Sequence, residues 1–253
     1  MTIAGLVTLL AIVAVAAYVQ ALTGFALGLV LMGGIALTGI LPLQDAAVLT
    51  GVLTLVQGAQ LLRTGWRDVA WKPLAISALA SIPGILLGYA LLTVMVETSI
   101  AWPQLVLGVV IIGASLQLLF RPHPRSTMSP PWTFGVAGII AGVMSGLFST
   151  SGPPLVYHLF RQPLPIRTLR ETLALIFMIN SGFRLTTVIV AGDLPPVSNW
   201  WALAALPMVI ALTYIARRWP PPISNTGMRR LTFALLALSG LSLVIPAIIT
   251  LTS

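Results

Sequence analysis

Two short polar breaks inside long apolar runs are the first candidates for chemistry in this sequence. The first break carries Gln20, Thr23, Gly24 and Phe25, and the second carries Ser149, Thr150, Ser151 and Gly152. A break in a helix leaves backbone N–H groups unpaired, and these groups together with hydroxyls suit an anion. Packing kinks with internally bonded hydroxyls are the alternative. Because two breaks occur at corresponding places along the chain, we expect them to form a binding site for a small anion.

Four more polar residues lie within or beside apolar runs: Gln57, His158, Asn180 and Arg184. Amides buried in a membrane either donate to an anion or join neighbouring helices, and the sequence leaves both roles open for Gln57 and Asn180. A cation at the centre of a span costs at least about 2.5–3.5 kcal/mol, so Arg184 is a candidate for the anion pathway. Snorkelling toward Asp193 is the alternative for Arg184. His158 is either a proton relay or substrate ligand, or a packing residue.

Signatures of enzymes and of metal sites are missing from the sequence. It contains no GxxxxGK[ST], HExxH or GxSxG motif and no cysteine. All five acidic residues are expected in loops or at span ends, so we predict no buried Asp or Glu and no carboxylate proton relay. The sequence therefore predicts a protein that is not an enzyme and that needs neither a cofactor nor a metal ion.

The composition requires a chain that lies mostly in lipid. Of its 253 residues, 58% are hydrophobic and 7% are charged, far below the roughly 25% charged residues of a soluble domain. Apolar runs of about 17–25 residues cross a bilayer as helices. The runs that approach or reach this length are Ile3–Leu22, Phe25–Leu41, Ala46–Leu62, Leu74–Val96, Leu105–Phe120, Thr133–Phe148, Leu173–Ala191, Trp200–Ala216 and Leu231–Leu251.

The basic residues orient these spans, because Lys and Arg stay on the cytoplasmic side. All 13 of them except Arg184 fall in alternate loops, and the intervening loops and both termini contain none. Both termini are therefore predicted to be extracytoplasmic. The stretches Ile3–Leu41 and Thr133–Phe160 must each enter the membrane and return, with turns near Gln20–Gly24 and Ser149–Pro154. This sorting also accounts for the net charge of +8 without a nucleic-acid partner.

An internal repeat divides the chain into two halves. ALASIP at Ala78–Pro83 reappears as ALAALP at Ala202–Pro207, and LPLQ at Leu41–Gln44 reappears as LPIR at Leu164–Arg167. We predict an all-α integral membrane protein with two inverted-topology repeats, each a broken or re-entrant helical hairpin followed by three transmembrane helices. Residues 1–120 form the first repeat, residues 121–132 a cytoplasmic linker, and residues 133–253 the second repeat.

Glycines recur at helical spacing in two of the spans, and we interpret them as packing surfaces. They are Gly138, Gly142 and Gly146 in one span, and Gly84 and Gly88 in another. Small residues at this spacing let two helices approach each other closely.

Two segments, one around each break, carry a resemblance to a known family. They are GFALGLVLMGGIAL (Gly24–Leu37), followed by Pro42, and GLFSTSGPPLVYHLF (Gly146–Phe160), followed by Pro165. These segments resemble the sulfite exporter TauE/SafE family of bacterial permeases. The resemblance implies two inverted halves and transport of small anions, including sulfite and organosulfonates such as sulfoacetate. Ser149–Pro154 departs from the more usual Gly-rich run, and this departure bears on the substrate.

Together these observations predict a secondary transporter, and more specifically an exporter of a small sulfur-containing anion, in the inner or plasma membrane of the cell. The site is expected at the interface of the two repeats, near the midplane. The expected partners are the small anionic substrate and the lipid bilayer; homo-oligomerisation is left open. Two alternatives stay open, namely a permease for another small metabolite and a non-transporting membrane module for binding or assembly.

Overall fold

A computed structural model describes residues 3–119, 125–219, 237, 240–241 and 243–252. This part of the chain is helical and contains no strand. The first half comprises α1 (Ile3–Thr23), α2 (Leu27–Thr38), α3 (Leu43–Gly65), α4 (Trp71–Thr98) and α5 (Ala101–Leu119). The second half comprises α6 (Pro131–Phe148), α7 (Gly152–Phe160), α8 (Ile166–Ala191), a 3₁₀ segment (Val197–Ala205) and α9 (Leu206–Arg218). Leu243–Thr252 is a further apolar helical segment.

Six helical segments in the described part are long and apolar enough to cross a membrane. They are α1, α3, α4, α6, α8 and the stretch Val197–Ala216. Large apolar side chains cover the outward faces of these segments, and Val190 and Val197 are 82% and 80% exposed. Such extensive apolar surface suits contact with lipid and not with water. The predicted all-α membrane architecture is therefore confirmed.

Both predicted turns fall at gaps between helices. α1 ends at Thr23 and α2 begins at Leu27, whereas α6 ends at Phe148 and α7 begins at Gly152. α1 packs on α2, and α6 packs on α7, so each pair forms a hairpin. α7 has nine residues. At 1.5 Å per residue it is about 14 Å long, too short for a hydrocarbon core of about 30 Å.

Several helix boundaries differ from the predicted runs. α2 ends at Thr38 because Gly39 adopts a left-handed conformation (φ 61°) and its N–H closes the helix on the carbonyl of Ile35. The predicted span Trp200–Ala216 is divided into a 3₁₀ part and an α part, and Pro207, which has no N–H, lies in the first turn of the α part. The predicted run Leu231–Leu251 lies largely outside the described residues.

The start of α8 corrects the prediction for the acidic residues. α8 begins at Ile166, directly after Pro165, whereas the apolar run predicted a start at Leu173. Glu171 therefore lies inside a helix, and it is buried with 6% of its surface exposed. Its carboxylate packs directly against Gly65, where a Cβ would overlap with it. The prediction that no Asp or Glu is buried is wrong, because an apolar-run criterion does not detect a charged residue in the first turns of a helix.

The helices of the two halves pack in a reciprocal pattern. α4 of the first half packs most extensively on α6 of the second, and α9 of the second half packs on α1 of the first. α3 and α8 cross between these two pairs. Reciprocal packing is expected when two similar halves face each other. The inverted relation of the halves, and the division at residues 121–132, stay predictions.

Candidate functional site

The first break is closed by its own residues. Gly24 has a φ of 90°, and its N–H donates to the carbonyl of Gln20 at 2.7 Å. The side-chain Oε1 of Gln20 accepts a hydrogen bond from the N–H of Leu27 at 2.8 Å and so caps the first turn of α2. Gln20 and Phe25 are buried, and the side chain of Thr23 lies outside the described part. Because Gln20 takes up a helix-end N–H, this break offers less to an anion than the sequence predicted.

The second break places three hydroxyls in the interior. Ser149, Thr150 and Ser151 are each at most 5% exposed. Ser149 has a φ of 53°, which non-glycine residues rarely adopt, and it is the one non-glycine residue with a positive φ in the described part. Gly152 follows with a φ of 63°. Backbone conformations of this kind concentrate at ligand sites, where the surrounding structure holds them.

The start of α7 has few backbone donors to offer. Pro153 and Pro154 occupy its first turn and carry no N–H. A helix usually leaves four N–H groups unpaired at its start, and α7 retains only the two on Ser151 and Gly152. The hydroxyl groups of the second break are the other donors at this place.

The two breaks meet at the start of α2. A Cβ on Gly28 would lie 2.8 Å from the Cβ of Thr150, so only a glycine permits this approach. A Cβ on Gly51 of α3 would lie 3.3 Å from the Oγ of Ser149. The second break is therefore enclosed by α2 and α3 of the first half, which agrees with a site between the two halves.

Asn180 joins the second break, as the sequence allowed. Its Nδ2 donates to the Oγ of Ser151 at 2.9 Å, and its Oδ1 lies 2.7 Å from the Oγ of Ser81 on α4. All three residues are buried. Asn180 thus fixes one hydroxyl of the break and ties α8 to α4, which is the interhelical role. Donation to an anion stays a prediction.

Gln57, at the corresponding position of the first half, does not reach the second break in this way. Its Nε2 donates to the carbonyl of Ala17 at 3.2 Å and to the Oγ1 of Thr213 at 2.9 Å, which joins α3 to α1 and α9. Its buried Oε1 has no hydrogen-bond partner in the described part of the chain. Interhelical bonding is therefore the role that the structure gives to Gln57.

Arg184 is fully buried beside the helix that leads into the second break. It is 1% exposed, and its Nε donates to the carbonyl of Gly146 on α6 at 2.9 Å. The snorkelling alternative is therefore wrong: Asp193 instead accepts a hydrogen bond from the hydroxyl of Tyr89. The Nη1 of Arg184 is buried and has no hydrogen-bond partner among the described residues.

His158 lies at the far end of α7 and does not join the hydroxyls of the break. Its Nε2 is 3.1 Å from the Oγ1 of Thr133, and its ring packs edge-on against Phe134 with 4.6 Å between the ring centroids. Its carbonyl accepts a hydrogen bond from Gln162. These contacts anchor the end of α7 to the start of α6, and they favour the packing role over the relay.

Three buried donors around the second break lack a hydrogen-bond partner within the described part. They are the Oγ of Ser145, the Oγ of Ser149 and the Nη1 of Arg184. Leaving a buried donor unpaired costs about 1–3 kcal/mol, and more for a charged group. A bound anion would supply the missing acceptors. No group of three metal-ligating side chains occurs among the residues that the structure describes.

A close contact between α4 and α6 supports this arrangement. A Cβ on Gly142 would overlap with the carbonyl of Ser81, and a Cβ on Gly88 would overlap with the carbonyl of Val143. The other members of the contact are Gly84, Gly138 and Gly146, each against backbone of the opposite helix. The glycines therefore form the packing surface that their spacing predicted, and they bring Ser81 within reach of Asn180.

Sequence reasoning missed two contributors to the site. Ser145 precedes Ser149 by one helical turn, and this spacing is a signal that could have found it. Ser81 carries no such signal, because its partner Asn180 is distant in sequence and is reached only through the packing of α4 on α8.

Comparisons with known proteins identify the family of the chain. Residues 9–243 match the family model described as "Sulfite exporter TauE/SafE". The chain is 33% identical to the "Probable sulfite/organosulfonate exporter TauE" of Cupriavidus necator, over 96% of this chain and 95% of that protein. It is 29% identical to the "Probable inner membrane transporter protein TsaS" of Comamonas testosteroni, over 76% of this chain and 80% of that protein. No solved structure gives a significant match. The chain belongs to the sulfite exporter TauE/SafE family.

Proposed function

We propose that the protein is a secondary transporter in the inner membrane that exports a small sulfur-containing anion such as sulfite or an organosulfonate. The observation that carries this proposal is the set of three buried donors, on Ser145, Ser149 and Arg184, that have no hydrogen-bond partner among the described residues. A sulfur oxyanion presents several acceptor oxygens and a negative charge, which match two hydroxyls and one guanidinium. The names of both relatives support membrane transport, and one of them supports the class of cargo.

The anion occupies the space beside the second break in this proposal. Arg184 supplies the charge, Ser149 and Ser145 supply hydroxyl donors, and Asn180 holds Ser151 in place. Thr150 and Gly152 shape the break, while Gln20, Thr23, Gly24 and Phe25 form the opposing hairpin end. Gln57 and His158 contribute through packing.

The membrane potential supplies the driving force for export. With the cytoplasm negative, moving one negative charge outward releases about 2.3 kcal/mol per 100 mV. The buried Glu171 does not require a different mechanism, because it lies about 20 Å along α8 from Arg184 at 1.5 Å per residue. The basic loops face the cytoplasm in this proposal, and both termini face outward.

The test is the flux of radiolabelled sulfite or sulfoacetate into proteoliposomes under an imposed potential. We expect flux above that of empty vesicles, and we expect it to increase when the potential drives the anion inward. Flux of a neutral metabolite that anions do not inhibit would identify a permease of another kind. No flux of any sulfonate, together with unchanged function after bulky substitution at Ser151, would identify a non-transporting module.

A further inference from the structure

The contact between α4 and α6 is made by backbone on both sides. Gly84 and Gly88 of α4 lie against the backbone of Ile139 and Val143, and Gly142 lies against the backbone of Ser81. Backbone atoms cannot change rotamer to let a neighbour pass. These two helices can therefore move only together.

Hydrogen bonds attach two more helices to this pair. Asn180 joins α8 to α4 through Ser81, and it joins α8 to the start of α7 through Ser151. Arg184 joins α8 to α6 through the carbonyl of Gly146. We call α4, α6, α7 and α8 the first group. It contains one helix from the first half of the chain and three from the second.

A second set of hydrogen bonds attaches α3 to α1, to α9 and to the 3₁₀ segment. Gln57 joins α3 to Ala17 of α1 and to Thr213 of α9, and Gln60 donates to the carbonyl of Ile210 on α9. At the opposite end of α3, Asn199 of the 3₁₀ segment donates to Asp45 at 2.6 Å. We call α1, α2, α3, the 3₁₀ segment and α9 the second group, since α2 packs on both α1 and α3.

The surface between the groups is of a different kind. α3 and α8 cross there, and the glycines at the crossing face side chains. Gly51 faces Leu185, Gly58 faces Met178, and a Cβ on Gly182 would lie 3.6 Å from the Cδ2 of Leu55. Side chains of Leu and Met can change rotamer, so this surface can slide where the α4–α6 contact cannot. All the interhelical hydrogen bonds described above lie within one group or the other.

We propose that the two groups move as rigid bodies against each other along α3 and α8, and that this motion opens the second break alternately to the two sides of the membrane. The proposal rests on the proposed transport function. Thr150 of the first group meets Gly28 of the second, and Ser149 meets Gly51. The second break therefore lies at the border that the motion would open, and with it the Ser149 hydroxyl, which has no hydrogen-bond partner among the described residues. The moving groups are therefore not the two halves of the sequence, because each group contains helices from both halves.

The first test measures distances between spin labels in proteoliposomes, and it does not depend on knowing the cargo. The chain has no cysteine, so introduced thiols are the only labelling sites. Ile3→Cys with Val197→Cys reports within the second group, and Val94→Cys with Val190→Cys reports within the first. Ile3→Cys with Val190→Cys reports between the groups. All four positions are exposed.

We expect each pair within a group to give one narrow distance distribution that neither sulfite nor an imposed potential changes. The pair between the groups should give two populations whose ratio shifts on adding sulfite. A distribution between the groups as narrow and invariant as those within them would overturn the proposal. If two populations occur but the wild type transports no sulfonate, the proposed cargo is wrong and the proposed motion is still supported.

The second test links the groups covalently. Leu55→Cys with Gly182→Cys places thiols across the α3–α8 crossing, where the contact leaves ordinary space for a Cβ. Asp45→Cys with Asn199→Cys is the matched pair within the second group. A short bifunctional thiol reagent should lower sulfite flux at least tenfold for the first pair and leave it unchanged for the second. Equal flux before and after linking Leu55→Cys with Gly182→Cys would overturn the proposal, and the unlinked variant controls for folding.

Discussion

The two breaks stand at corresponding places in the two halves, yet they present different chemistry. At the first break, the side-chain oxygen of Gln20 accepts a hydrogen bond from the N–H of Leu27 and so caps the start of α2. This N–H is therefore not available to an anion. At the second break, Ser149 adopts a strained conformation, and Arg184 bonds to Gly146 in the last turn of the helix before it. The Oγ of Ser149 and the Nη1 of Arg184 have no hydrogen-bond partner among the described residues. If the predicted repeat holds, the two breaks are similar scaffolds, and in our proposal only the second carries the donors for an anion.

The difference comes from single residues and not from the fold. Gln57 and Asn180 stand at equivalent positions of the repeat in the sequence. By the same spacing, Leu61 is the residue of the first half that corresponds to Arg184. One half thus carries a buried guanidinium where the other carries an apolar side chain. Both hairpins help to enclose the second break, because Gly28 of the first allows Thr150 of the second to approach.

The contact that supports the second break gives the largest expected effect. α6 leads into this break and approaches α4 through glycines, whereas α1, which leads into the first break, contains a single glycine, Gly5. Gly142→Ala would drive a Cβ into the carbonyl of Ser81, so we expect a destabilisation of about 3 kcal/mol or more and loss of flux. Thermal unfolding in detergent would measure it.

Gly135→Ala is the matched control for Gly142→Ala, because it lies in the same helix with nothing near the added Cβ. We expect it to be neutral or to stabilise by up to about 1 kcal/mol. Equal melting temperatures for the two variants would mean that the α4–α6 contact does not support the second break.

Removal of the buried charge gives the next largest effect. Arg184→Met keeps most of the side-chain volume and removes the guanidinium, so we expect sulfite flux to fall by about 10- to 100-fold, the equivalent of a charged hydrogen bond. Arg184→Lys keeps the charge and should retain part of the flux. Proteoliposome flux per folded protein is the measurement. Unchanged flux in Arg184→Met would remove the distinction between the two breaks.

The hydroxyl of Ser149 gives a smaller effect. Ser149→Ala should lower flux by about three- to tenfold, the equivalent of one neutral hydrogen bond. Ser149→Gly should lower flux equally but raise the melting temperature, because glycine adopts the positive φ without strain. This pair separates the loss of the donor from the loss of backbone strain. If Ser149→Gly transports like the wild type, the hydroxyl does not contact the anion.

The first break gives the smallest expected effect on flux. Gln20→Leu leaves the N–H of Leu27 buried without its acceptor, so we expect a loss of about 1–3 kcal/mol in stability. Flux per folded protein should change less than twofold. The comparison of unfolding temperature with flux checks this prediction, and a flux loss as large as that of Arg184→Met would place the first break in the site.

The sequence was sufficient for features that depend on local composition. Apolar length predicted the spans, and Gly, Pro and hydroxyl residues predicted both breaks. Features that depend on distant partners could not be predicted. Whether Arg184 snorkels or is buried depends on the carbonyl of Gly146, and the role of Asn180 depends on Ser81. Glu171 was misplaced because an apolar run does not reveal where a helix begins after Pro165.

The most direct test of the account is to locate a bound anion. A structure determined with 2-bromoethanesulfonate would reveal the anion through the scattering of its bromine. We predict density beside the second break, with sulfonate oxygens within hydrogen-bond distance of Arg184 Nη1 and Ser149 Oγ. Density beside Gln20 at the first break, or only among the basic loops, would contradict the account.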